Sequence, residues 1–114
     1  MPMRQLEANV RDQDGIAILD LHGEINAFAE NELNRAYATA SEPHPPTILL
    51  NFADVDYINS TGIALIVGLM AQARKSDFLL QASGLKEKYQ EMFQITRLSD
   101  FMTMFPDENS ALDG

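Results

Sequence analysis

The sequence predicts one α/β domain over residues 1–114: a mixed, mostly parallel sheet of about five strands with about four helices. Three observations carry this. Ile48-Leu49-Leu50 is a short apolar run without apolar/polar alternation, as in a strand covered on both faces. Beyond a polar stretch, the apolar residues from Ile63 to Met70 run too long for a strand and favour a largely buried helix. Near the start, Asp14-Gly15 separates two strand-like segments and supplies the positive φ of a tight hairpin turn, so the first strand should be antiparallel.

The elements follow in order. Leu6, Ala8 and Val10 alternate with polar residues and predict a half-buried strand; after the turn, Ile16–Leu21 returns and closes at His22-Gly23. Ala27–Ala40, rich in Ala, Glu and Leu, predicts a helix with Asn26 as N-cap and Phe28, Leu33 and Tyr37 on its core side. The prolines of Ser41–Pro46 end it. The central strand follows, then a polar loop from Asp54 to Asn59. The helix opens with Ser60-Thr61-Gly62 and ends at Arg74-Lys75, where the helix dipole favours positive charge. Phe78–Ala82 predicts another buried strand. Leu85, Tyr89, Met92 and Phe93 have the spacing of a helix packed on the core. Phe101–Phe105 predicts the last strand, and Pro106 the first turn of a short last helix with Asp107 and Glu108 at its favourable end. Strands joined through helices should run parallel, and function in such sheets collects at loops leaving their C-terminal ends. Those loops are Gly23–Asn26 and Asp54–Gly62.

Composition narrows the function classes. A formal charge of −9 argues against nucleic acid and acidic membrane surfaces and is compatible with a basic protein partner. No apolar stretch has the length of a membrane span, and the N-terminal MPMRQLEANV lacks the apolar segment of a secretory signal. The absence of cysteine removes disulfides and thiolate metal sites; a reducing cytoplasm is the expected compartment.

Catalysis finds little support. A nucleophile elbow around Ser60 would need glycine two residues before and two after the serine, where Ile58 and Gly62 stand. Of the two histidines, His44 lies between prolines and His22 at a strand end reads as structural. Asp54 and Asp56 lack the further ligands of a calcium loop, since Tyr57 and Ile58 follow, and the glycines are too sparse for a phosphate cradle. No metal, cofactor or enzymatic activity is expected. Ser60 is then a plain cap or a modified residue. A phosphoryl group there would sit at a helix N-terminus, where its charge is tolerated, yet it would be costly against an acidic or apolar partner. In that reading Ile63 and the exposed part of the helix form the docking surface.

Ile48–Gly68, ILLNFADVDYINSTGIALIVG, resembles the signature of STAS domains, in particular the bacterial anti-sigma-factor antagonists. Leu21–Ile25 resembles the family's Leu-x-Gly-Glu-Leu-Asp, and Glu108–Leu112 its closing helix. The resemblance implies partner switching in transcriptional stress control. The unmodified antagonist binds an anti-sigma factor that is also a serine kinase, and sigma factor is released. Phosphorylation then ends the complex, and a serine phosphatase restores it. Carried over, the phosphoacceptor is Ser60, with Thr61 second, and Asn26, Asp54, Asn59 and Gly62 shape its loop. Asn26 and Asn59 stand where the family has Asp; both keep side-chain hydrogen bonding but remove a charge, which implies slower phosphorylation or a different kinase. The alternative implied is a STAS scaffold or accessory subunit of a stress-signalling assembly or transporter, independent of phosphate.

Overall fold

A computed structural model describes residues 4–113. Met1 to Met3, which open the segment read for a secretory signal, lie outside the described residues, as does Gly114.

Five strands stand side by side in chain order: β1 (Glu7–Gln13), β2 (Ile16–Ile25), β3 (Thr47–Ile58), β4 (Leu79–Ser83) and β5 (Thr103–Phe105). β1 runs antiparallel to β2 through the hairpin at Asp14-Gly15, both with positive φ; the remaining pairs are parallel. Four helices follow the strands: α1 (Glu30–Ser41), α2 (Ser60–Lys75), α3 (Glu87–Ile95) and α4 (Glu108–Asp113).

The apolar run in β3 is explained by burial on both faces. Ile48 and Leu50 join the main core with Leu19, Leu33, Tyr37, Ile66 and Phe93, whereas Leu49 and Ile18 belong to a small second cluster with Ala111 of α4. Successive strand residues point to opposite faces, so α4 lies on the far side of the sheet from the main core.

Three expectations need correction. β3 does not stop at Leu50, and most of the expected Asp54–Asn59 loop is strand. β3 pairs with an equally extended β2 as far as Ile25↔Ile58, so β2 also continues past His22-Gly23. Asp54 and Asp56 are strand residues paired with basic neighbours: Asp54 to His22 at 3.1 Å and Asp56 to Arg4 at 2.9 Å. Second, Ala27–Ala29 forms a 3-10 turn ahead of α1, and this turns Phe28 outward to 78% exposure rather than into the core. Third, α2 is not largely buried. Gly62, Ile63, Ile66, Leu69 and Ala73 face inward, while Ala64, Val67, Gly68 and Ala71 are exposed.

Candidate functional site

The ends of β2 and β3 are adjacent, so the turns leaving them form one surface. Asn26 terminates β2 and is buried; its Oδ1 accepts the Phe28 N–H at 2.9 Å, which caps the 3-10 turn as expected. Asn59 terminates β3 and caps α2. Its Oδ1 accepts the Gly62 N–H at 2.8 Å, and its carbonyl accepts the Ile63 N–H at 2.9 Å. The cap is therefore Asn59 rather than Ser60, which frees the serine hydroxyl from that task.

Gly62 ties the two turns together. Its position leaves no room for a side chain, because a Cβ there would lie 2.0 Å from the Ile25 carbonyl oxygen. The same carbonyl accepts the Asn59 N–H at 3.2 Å. A further support comes from α3: the buried Tyr89 hydroxyl accepts the Ile58 N–H at 3.1 Å. β4 pairs with β3 only as far as Asn51, so Ile58 has no strand on that side to take its N–H.

Ser60 and Thr61 occupy the first turn of α2 and are both exposed. Their N–H groups are among those that a helix start leaves without intrahelical acceptors. Ser60 heads an exposed stripe of Ala64, Val67, Gly68 and Ala71, at the spacing of one helix face. An exposed helix face is ordinarily charged; this one is apolar and small. Phe28, on the 3-10 turn, and Tyr57, next to the last residue of β3, are exposed by 78% and 47%.

Two expected site residues are placed elsewhere. Ile63 is buried at 7% exposure, one turn above Ile66 on the core face, and so cannot be a docking residue. Asp54 is a β3 residue opposite His22 in register, 3.1 Å from its ring, and does not belong to the turn carrying Ser60. Sequence reasoning missed Phe28, Tyr57 and Tyr89; the first two lie in segments whose apolar residues were read as core or loop, and the third in a correctly expected core stripe. Among the described residues, no group of three or more His, Cys, Asp or Glu is placed to hold a metal ion. No helix among the described residues is long and apolar enough to cross a membrane.

A five-stranded sheet with its first pair antiparallel and the rest parallel, with four helices, is the architecture of a STAS domain. The family model for the STAS domain matches residues 7–111, and the chain belongs to that family. The anti-sigma-B factor antagonist of Staphylococcus aureus is 27% identical over 97 residues, covering 85% of this chain and 90% of that protein. The crystal structure of an anti-sigma factor antagonist from Mycobacterium paratuberculosis superposes with a TM-score of 0.82 at 18% identity, covering 96% of this chain and 92% of that one. The Bacillus cell fate determinant SpoIIAA in its phosphorylated form superposes with a TM-score of 0.71 at 20% identity, covering 93% and 96%.

Proposed function

We propose that this protein is an anti-sigma-factor antagonist: a non-enzymatic, cytoplasmic binding module whose partner is a serine-kinase anti-sigma factor. In the unmodified state it occupies that partner and sigma factor is released. The Ser60 oxygen then attacks the γ-phosphorus of ATP held by the kinase, the bond to ADP breaks, and the serine proton passes to the kinase. A serine phosphatase reverses the modification by hydrolysis. Thr61 is the second choice of acceptor.

The observation that carries this reading is the position of Ser60, exposed at the head of an apolar helix face. The hydroxyl is reachable, and the stripe of Ala64, Val67 and Gly68 with Phe28 beside it offers a surface that a partner would cover. A phosphoryl group would meet the positive end of α2 and leave the fold intact. It would also place about two negative charges at the rim of an apolar contact, where desolvating them is costly. SpoIIAA, of the same fold, exists in a phosphorylated form. Asn26, Asn59 and Gly62 frame the acceptor by capping the two turns and holding them together, while Asp54 stands on β3 outside those turns.

The test is incubation with a kinase-type anti-sigma factor and ATP, followed by mass spectrometry. One phosphate is expected on Ser60 and none in Ser60→Ala; phosphate placed wholly outside Ser60-Thr61 refutes the assignment. Val67→Glu should leave the thermal midpoint nearly unchanged yet weaken complex formation by about tenfold or more, as a charge desolvated at an interface requires. Undiminished binding by Val67→Glu would remove the α2 face from the interface.

A further inference from the structure

On the far side of the sheet from Ser60, α4 covers a strip of β2, β3 and β4 that it matches poorly. Only Ala111 of α4 is fully buried, against Ile18 and Leu49, with Leu112, Ile16 and Phe105 packed at the edges. Beside Leu49 in register is Gln81, and two residues on is Ser83, on the same face of β4. Both are buried, Ser83 completely, and neither the Gln81 Oε1 nor the Ser83 Oγ has a hydrogen-bond partner among the described residues. A helix closed over unpaired polar atoms carries a penalty that opening to water would remove.

Beside that small apolar contact, one ion pair ties α4 to the sheet among the described residues. Glu108, at its start, meets the guanidinium of Arg11 from β1. Arg11 does not depend on it, because Asp20 of β2 accepts two further hydrogen bonds from the same group, and Asn51 of β3 donates to Asp20 at 2.8 Å. Departure of Glu108 therefore leaves the remaining charges paired. At six residues α4 has no independent stability as a helix.

We infer that α4 is a latch: it opens from the sheet without unfolding the domain, is held shut by Arg11–Glu108, and uncovers Ile18, Leu49, Gln81 and Ser83 when it lifts. Opening exposes little surface, so it belongs to the low-energy end of local unfolding.

The chain has no cysteine, which makes a single thiol a clean probe. Ser83→Cys places one under the latch, and Ala82→Cys, equally buried but facing the main core, reports only global unfolding. With a thiol reagent in excess, Ser83→Cys should react about tenfold or more faster than Ala82→Cys, at a rate almost independent of low urea. Adding Glu108→Gln should speed the Ser83→Cys reaction by about two- to fivefold and leave Ala82→Cys unchanged. Equal rates at the two thiols, rising together with urea, would show that α4 opens only with the whole domain and overturn the inference. A rate unmoved by Glu108→Gln would overturn the role of the ion pair. Should Ser83→Cys fail to fold, Gln81→Cys reports from the same strip.

Discussion

The Cα of Gly62 stands so close to the Ile25 carbonyl that a methyl group on it would fall 2.0 Å from the oxygen. This contact fixes the start of α2 against the end of β2, and both groups are backbone, so neither yields as a side chain would. Gly68, two turns further along the same helix, has nothing within 4 Å of its Cβ position. The two glycines should therefore answer the same substitution with opposite signs. Gly68→Ala gains helix propensity and should stabilise by roughly 0.5–1 kcal/mol. Gly62→Ala forfeits that gain and forces the backbone apart, a net loss of about 1–3 kcal/mol. Urea unfolding of the two variants at neutral pH checks the pair.

The cap on α2 separates hydrogen bonding from charge. Asn59→Ala removes the acceptor for the Gly62 N–H and should cost about 1 kcal/mol. Asn59→Asp keeps the acceptor and adds a negative charge at the positive end of the helix, so stability should hold or rise by about 0.3–1 kcal/mol. Thermal midpoints at low and high salt test this, because the gain from charge, unlike the cap itself, should shrink as salt is added.

Acid sensitivity has two identifiable sources. Hydrogen bonds from Arg11 hold the Asp20 carboxyl below its ordinary value of 3.8, with Asn51 adding to the effect. The Arg35 guanidinium, helped by the Ala8 N–H, does the same for Glu32, which joins α1 to β1. A carboxylate depressed in the folded state contributes its full stability above the unfolded pKa and loses it as pH falls through the folded one. Stability should thus decline from about pH 4 downward. Asp20→Asn should lower stability at pH 7 by about 1–2 kcal/mol and flatten the acid limb. Unfolding free energies measured from pH 2 to pH 7 decide it, and an acid limb as steep as the parent's would remove Asp20 as a source.

The antiparallel opening hairpin, the strand covered on two faces and the helix after it could be read from the sequence because each rests on a strong local signal: Asp14-Gly15, Ile48–Leu50 and the Ser60–Lys75 segment. The length of β3 could not. From Asn51 to Tyr57 that strand takes six residue steps where β2 takes four, from Asp20 to Glu24. The two extra residues are bulges. They put the buried positions at Phe52, Val55 and Ile58, three apart, which erases the two-residue alternation by which a strand is known. The α2 face failed for a different reason. Apolar residues on an exposed helix face look like core in one dimension, and only the fold shows that Val67 faces out while Ile66 faces in. Phe28 repeats that case on a 3-10 turn.

Tyr89 links α3 to the turn that carries Ser60. The hydrophobic stripe of α3 foretells that this residue is buried, but its spacing says nothing of the hydroxyl, which accepts the Ile58 N–H one residue before the cap of α2. Tyr89→Phe keeps the ring packing and deletes only that acceptor. A buried backbone N–H is then left unpaired, at a cost of about 1–3 kcal/mol. Because the N–H belongs to Ile58, the loss should be local as well as global: amide exchange at Ile58 and Asn59 should accelerate more than the drop in overall stability accounts for, while the amides of β1 follow global stability alone. Uniform acceleration across the sheet would mean that the hydroxyl supports the core in general and does not brace the turn.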